Sequence, residues 1–463
     1  MRGLIGVLLL AAVLGALTPA TARGDRPQPG LHPPASAKAG QALPGELLLR
    51  VDPAIGALAR RLMINVGGQQ EARLEELGVV RLRLREGLSL EKALEFYSRL
   101  PGVDYAEPNY RLKAEFVPND PLYAAQRWYY NLTEAPQAWD VERGEPSVIV
   151  AVLDSGVDVT HPDLRERIWR NPGEGVPNGI DEDGNGCVDD VYGCNFVDPG
   201  DADPSCGPQP ASPSNQVTDD SGHGTFVAGI IGATGNNGIG VIGEAPGVTL
   251  LPVKVLDCTG AGTTADAAAG ILYAARMGAQ VINLSFGGAE PSRTLQEAVV
   301  TATGTFGAVV VAASGNQGTQ GVTYPARYRQ VIAVGASDRN SPDARAPFSN
   351  WGPEVDVVAP GADLVSTVPQ ALCDGRWSCP GGQPYSVASG TSFAAAQVAA
   401  LAALVRSHSP ALTTSEVRFV IRATALPLPD DSTPGWAGAG RIRMRRALEA
   451  ILFRIGAPGV ARN

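Results

Sequence analysis

Five apolar runs constrain the fold of this chain more than any other feature of its sequence. They are VIVAVLD (148–154), VTLLPVKVLD (248–257), AQVINLSFG (279–287), GAVVVAASG (307–315) and QVIAVGASD (330–338). A strand with one face in water alternates apolar and polar residues, and these do not. Runs of this length without alternation are strands buried on both faces, as in a parallel sheet. Segments with helical spacing lie between them: HGTFVAGIIGAT, TTADAAAGILYAARMG, TLQEAVVTATGTFG and SFAAAQVAALAALVRS. The expected fold is therefore α/β, an open, doubly wound, mostly parallel sheet. Ligands of such sheets gather beyond the carboxyl ends of the strands. At 463 residues the chain has room for this domain and a second unit.

The region before residue 115 has a different texture. Arg2 precedes an apolar run from Leu4 to Leu17, too short to span a bilayer comfortably, and Ala20-Thr21-Ala22 is a small-x-small cleavage pattern. Residues 1–22 read as a secretory signal, and the Pro/Gly/Ala-rich stretch 23–44 as a linker. GELLLRV (45–51) and VVRLRL (79–84) read as strands, residues 58–78 show helical spacing, SLEKALEFYSRLPG (89–102) is a capped helix, and VDYAEPNY (103–110) is a last strand. Residues 45–114 thus form a small α+β domain, followed by the larger domain over 115–455 with a Cys/Asp-rich insertion near 170–218. No later stretch is long and apolar enough to span a membrane. The net charge of −10, without a long basic run, argues against nucleic acid as the main partner. Six cysteines in a secreted chain suggest three disulfides. Many pairings are open; proximity favours Cys187–Cys194 and Cys373–Cys379, leaving Cys206–Cys258. There is no CxxC pair, which disfavours zinc.

Three short stretches carry the chemistry. VIVAVLDSGVD puts Asp154 at the tip of a buried strand, DDSGHGTFVAG puts His223 at a helix start between glycines, and ASGTSFAAAQVA puts Ser392 at a helix N-terminus. Taken singly, each has a structural reading: a turn aspartate, a surface histidine, and a capping serine whose task Ser389 or Thr391 could perform. Taken together they supply a nucleophile, a base for its proton, and a carboxylate that fixes the base's tautomer. GTSFA is not the GxSxG elbow of α/β-hydrolases. In VVVAASGNQG, Asn316 follows a strand and has an NH2 that can donate to an oxyanion; the backbone N–H of Ser392 would be the second donor.

The segments AVLDSGVDVTHPDL, SGHGTFVAGIIGATGNNGIGVIGEAP, VINLSFGG, VVVAASGNQG, APG (359–361) and SGTSFAAAQVAALAAL resemble the subtilisin-like serine peptidases (the subtilase family), in particular its thermitase-like secreted members. The resemblance runs from about residue 118 to 450. It implies that Asp154 orients, His223 is the base, Ser392 the nucleophile and Asn316 an oxyanion donor. It departs at Ala396 and Gln397, where the family usually has Pro and His, at Phe226, where many members have His, and after the Gly-Arg of GAGRIRMRRAL, where an acidic residue is common. It further implies that Ser285, Phe286 and Gly287 form an edge pairing with the substrate backbone, and that Ala312, Ala313 and Ser314 wall the primary pocket. With no Asp or Glu there, apolar or aromatic side chains are expected in that pocket. The small N-terminal domain resembles the family's inhibitory propeptide, a ferredoxin-like fold, with maturation expected between Arg111 and Pro118.

Two calcium sites are expected. In the first, matching the family, Asp120, Asp163 and Asn237 give side-chain oxygens and Gly235, Ile239 and Val241 carbonyls, a set suited to a hard cation. In the second, DEDGNGCVDDVY (181–192), Asp181, Asp183, Asn185 and Asp189 occupy loop positions 1, 3, 5 and 9 of an EF-hand-like pattern. Tyr192 stands where a bidentate Glu would be. The bland alternative is an acidic turn closed by a disulfide. The expected protein is a secreted, monomeric, calcium-stabilised serine endopeptidase. It acts on protein or peptide substrates, is inhibited by its own propeptide and is free of the membrane after signal removal. The alternative is a non-catalytic secreted module with the same fold.

Overall fold

The computed structural model describes residues 42–52, 68–100, 102–111, 116–429 and 433–455. The signal segment 1–22 and nearly all of the linker lie outside them. The chain divides into two compact units, Met1–Ala114 and Glu115–Asn463. The first contains β1 (Ala42–Val51), β2 (Gly68–Leu74), β3 (Val79–Leu84), α1 (Leu90–Ser98) and β4 (Val103–Tyr110). The sheet order is β2-β3-β1-β4 and every pairing is antiparallel, the strand order of a split βαβ fold. The alternation in VVRLRL does what it predicts: Val80, Leu82 and Leu84 face a core with Leu47, Leu49, Ala93 and Tyr97, while Arg83 is exposed. Ser89 caps α1, accepting from Lys92 N at 3.3 Å.

Two expectations are corrected here. The linker does not extend to residue 44, because β1 begins at Ala42. The helical spacing read over 58–78 falls partly outside the described residues, and Gly68–Leu74 is a strand. Its Gln, Glu, Ala and Arg favour a helix, but the ladder to β3, from Gly68↔Leu84 to Leu74↔Val79, overrides a weak local preference.

The second unit comprises α2 (Tyr123–Thr133), the single turn α3 (Ala135–Ala138), β5 (Ile149–Asp154), β6 (Cys194–Asn195), α4 (His223–Gly232), β7 (Thr249–Lys254), α5 (Thr264–Arg276), β8 (Val281–Leu284), α6 (Arg293–Gly304), β9 (Val309–Ala313), β10 (Ile332–Ser337), β11 (Val357–Pro360), β12 (Leu364–Thr367), β13 (Tyr385–Ala388), α7 (Thr391–His408), α8 (Thr414–Thr424) and α9 (Met444–Ile455). All five apolar runs are strands of one parallel seven-stranded sheet, ordered β11-β10-β9-β8-β5-β7-β6. It is buried on both faces. Val150 and Val152 of β5 join the core with α4 and α7, whereas Ala151 and Leu153 join the core with α5 and α6.

The order shows where the winding reverses. After β5 the chain lays down the edge strand β6 and then β7 between them on one side, and crosses over to build β8, β9, β10 and β11 on the other. The switch point is the gap between the carboxyl ends of β5 and β8, where an open α/β sheet takes its ligand. Asp154 ends β5, and Ser285 follows β8 directly. The helix α7 runs beside this point, packed on β8, β9, β10 and α4, with every residue from Thr391 to Arg406 buried. A helix apolar on all sides belongs inside, and alanine side chains let it lie close to the strands. The disulfides are Cys187–Cys194, Cys206–Cys258 and Cys373–Cys379. Among the described residues no helix is long and apolar enough to cross a membrane.

Candidate active site

Asp154 is fully buried, and its Oδ1 accepts from the Ser155 N–H at 2.8 Å and from His223 Nδ1 at 2.7 Å. A carboxylate only accepts, so the His223 proton sits on Nδ1 and Nε2 carries the lone pair. Burial opposes the charged imidazolium most strongly. The Asp154 charge and hydrogen bond, with Asp219 adding, outweigh it and hold the His223 pKa above the ordinary 6.5. Gly224 cannot be replaced: a Cβ there would lie 2.1 Å from the Gly156 carbonyl, because β5 and α4 meet at backbone distance.

The turn before His223 is organised by Asp219, which the sequence reading did not single out. Its buried carboxylate accepts from Gly222 N at 2.7 Å, Ser221 N at 3.1 Å, Thr225 N at 2.8 Å, Thr225 Oγ1 at 2.6 Å and Ser155 Oγ at 2.9 Å. It thereby supplies the first N–H groups of α4 with the acceptor that Gly222 lacks. The signal was available: an acid four residues before a helix-starting histidine. Buried Lys254 donates to the Ser155 carbonyl and to Asp220, each at 2.6 Å, tying the segment after β5 to the one before α4.

Ser392 is the second residue of α7 and 6 % exposed. Its hydroxyl donates to the Ser285 carbonyl at 2.9 Å, and the Ser285 hydroxyl donates back to the Ser392 carbonyl at 2.9 Å. Asn283 Nδ2 holds Ser285 Oγ at 2.8 Å. His223 reaches the same corner through Phe393, whose ring centre lies 5.4 Å from the imidazole. Asn316, in the turn after β9, accepts at Oδ1 from Thr391 N at 2.9 Å and Thr391 Oγ1 at 2.8 Å. Asn316 therefore caps α7 from outside, since Gly390 has no side chain to do so. With its oxygen committed, its Nδ2 faces the Gly390 backbone at the head of the helix. Neither Ser389 nor Thr391 caps α7 as the sequence reading allowed: Ser389 accepts from Asp363 N, and Thr391 is the partner through which Asn316 does so.

The expected substrate residues lie around the same end of the sheet. Phe286 is half-buried against the core on the α5/α6 side and Gly287 is exposed. Ala312 and Ala313 belong to opposite cores, as consecutive strand residues must, and buried Ser314 donates to the Asn350 carbonyl at 3.1 Å.

Both expected cation loops are well defined. Asp163 is fully buried and Asp120 nearly so, and among the described residues neither forms an ion pair. Burial raises both; it pushes Asp163 to about 6, with Asp120 adding its repulsion. Asp120 accepts from Asn236 N and Asn237 N, and Asp163 from Asn237 Nδ2 at 2.8 Å and Val241 N at 2.9 Å. Two buried carboxylates beside one loop, with no cationic side chain, fit a hard cation; Asn237 would have to turn its amide over to offer Oδ1. In the second loop the structure gathers a different set. Asp181 accepts from Asn185 N and Gly186 N, and Asp189 from Asn178 N and Gly179 N. The carboxylates that converge are Glu174 with Asp183 and Asp190, and Glu174 with Glu182 and Asp189. Glu174 is raised to about 7, first by its hydrogen bond with Glu182 and then by burial.

The subtilase family profile matches residues 145–450, and the fervidolysin N-terminal prodomain profile matches residues 31–109. The chain is 40 % identical over 337 residues to a thermophilic serine proteinase of Bacillus sp. (strain AK1), covering 73 % of this chain and 71 % of that one. It is 36 % identical over 334 residues to thermitase of Thermoactinomyces vulgaris, covering 72 % of this chain and all of that one. A solved protease structure from Pseudoalteromonas arctica aligns at a TM-score of 0.59 with 29 % identity, covering 72 % of this chain and 99 % of that one. The switch-point corner, the sheet and these relatives agree: the chain belongs to the subtilase family, and is a subtilisin-like serine endopeptidase with an N-terminal prodomain.

Proposed function

We propose that the chain is secreted as a zymogen, removes its own prodomain, and cleaves peptide bonds through Asp154, His223 and Ser392. The observation that carries this reading is the 2.7 Å hydrogen bond from His223 to Asp154 at the switch point of the sheet. It leaves Nε2 free to act as a base toward Ser392, which heads α7 and whose neighbour Phe393 packs on the imidazole. As substrate enters, Ser392 Oγ exchanges the Ser285 carbonyl for His223 Nε2, a tightening that free enzymes commonly require. Oγ attacks the scissile carbonyl as Nε2 takes its proton, and Asp154 stabilises the imidazolium. Asn316 Nδ2 and the Ser392 N–H receive the oxyanion at the positive end of α7. The imidazolium then protonates the leaving amine, and water hydrolyses the acyl-enzyme by the same route.

Gly287 and its neighbours Ser285 and Phe286 would pair with the substrate backbone as an added strand. A pocket bounded by Ala312, Ala313 and Ser314 holds no acid, which favours an apolar side chain. Calcium bound by Asp120, Asp163 and Asn237, with the carbonyls of Gly235, Ile239 and Val241, would supply the positive charge those carboxylates lack and pin the loop 235–241 to α2's leading segment. The second loop would offer Asp181, Asp183, Asn185 and Asp189, or the Glu174 cluster. The bond from Ser392 to Ser285 instead of His223 favours a second reading, a non-catalytic module of the same fold. A fluorophosphonate probe decides. Labelling of the wild type and not of Ser392→Ala supports catalysis; an unlabelled, folded wild type supports the module.

A further inference from the structure

The strand pair β12–β13 is joined by a loop closed by Cys373–Cys379, and this loop carries Trp377. Trp377 Nε1 donates to the Ser221 carbonyl at 2.8 Å, two residues before His223. Its ring stacks on Phe226 of α4 at 5.6 Å between centres, with the planes 23° apart. Phe226 packs on Phe393 at 4.4 Å, and Phe393 on the His223 imidazole at 5.4 Å. The indole lies so close over Gly222 that a Cβ there would stand 2.3 Å from Nε1. Gly222 is also in the left-handed region, at φ 91°, and is the residue from which α4 starts. The loop is itself anchored: Trp377 N donates to the Leu372 carbonyl at 3.0 Å and Ser386 Oγ of β13 to the Ser378 carbonyl at 2.7 Å.

We propose that this disulfide-closed loop is a positioning element for the catalytic base, with Trp377 fixing the turn before His223 and the aromatic packing beside it, in addition to Asp154's anchorage of Nδ1. Asp154 fixes one atom of the imidazole and leaves the ring free to tilt about that bond. The turn Ser221–Gly222 feeds the histidine into its helix, and a glycine in that turn adds backbone freedom. Trp377 removes it twice. The indole N–H pins the turn's carbonyl, and the aromatic series Trp377–Phe226–Phe393 closes back on the imidazole. Trp377 is a positioning residue, since it acts on His223 through backbone and packing and touches no reacting atom.

The inference rests on His223 being the base, and the experiment separates the two. Full-length protein carrying Trp377→Ala, Trp377→Phe or the pair Cys373→Ser/Cys379→Ser is matured and compared with wild type. The readouts are peptide-amide kcat and KM, and the rate of Ser392 labelling by a fluorophosphonate. For Trp377→Ala kcat should fall about tenfold, the scale of a sub-ångström misplacement of a reacting group, with KM within about twofold and labelling slowed in parallel. Trp377→Phe, which keeps the stacking and loses the N–H, should recover part of that loss, and the cysteine pair should fall between. A rise in KM alone overturns the inference, because it makes Trp377 a substrate contact. Unchanged kcat and labelling in Trp377→Ala overturn it too; if that variant does not fold, wild-type rates in both Trp377→Phe and the cysteine pair do so. A wild type that the probe never labels instead defeats the reading of His223.

Discussion

The proposed catalytic corner and the acidic insertion around 171–193 flank the same sheet and are held by opposite means. At the corner, β5, α4 and α7 bring buried backbone within van der Waals distance, and polar side chains such as Asp219 and Asn316 are added onto a rigid frame. The insertion has almost no regular structure. Its order comes from carboxylates accepting backbone N–H groups, from Asn171 and Asn185 bridging Asp183 and Asp190, and from Cys187–Cys194. Packing sets atoms to fractions of an ångström; charge and covalent closure only hold a loop in place. Damage at the corner should therefore cost rate with little stability, and damage in the insertion the reverse.

The largest expected effect is at the corner. Asp154→Asn should lower kcat about 10⁴-fold with a nearly unchanged thermal midpoint, the scale known for this residue type in serine proteases. A comparable fall in the midpoint would mean that the carboxylate mainly holds the fold. Asn316→Ala should lower kcat about 10²–10³-fold, as loss of the oxyanion donor does in subtilisin. Here it also uncaps α7, so about 1 kcal/mol of stability should go with it. A stability loss without a rate loss would leave Asn316 as a cap only.

The third test is pH. The raised His223 pKa means the imidazole stays protonated, and useless as a base, to a higher pH than a free histidine. Activity should thus fall about tenfold per pH unit on the acid side, from a midpoint above 6.5. A midpoint well below that value would contradict the Asp154 contact. The smallest catalytic effect belongs to the insertion. Cys187→Ser with Cys194→Ser should leave kcat within about twofold while costing at most about 2–3 kcal/mol locally, read as faster amide exchange over 171–193. A large loss of kcat would erase the contrast between the two regions.

The legibility of the chain follows the same division. Long apolar strands announce themselves because both faces must be dry, and Asp154, His223 and Ser392 stand out because glycines and small residues flank them. The strands β6, β12 and β13 have two or four residues each, too few for a pattern, and exist only through their partners. GQQEARL reads as helix because its residues favour one and show no strand alternation; the ladder to β3, the next strand along, overrides that preference. Glu174 gains meaning only when residues 182–190 fold back on it, and Trp377 only when it meets Ser221, 156 positions earlier. The orientation of the Ser392 hydroxyl was equally unreadable, since Ser285 joins it across 107 positions.

The deeply buried α7 has a bearing on how the protein is made. It follows every strand of the sheet in chain order, yet five of them, β5 and β8 to β11, pack on it. Until it arrives, the earlier strands have no central support on that face, and their parallel pairings must wait for contacts far apart in the chain, which is a slow way to fold. The corner formed by Asp154, His223 and the head of α7 therefore exists only once this helix has docked on strands that precede it in the chain.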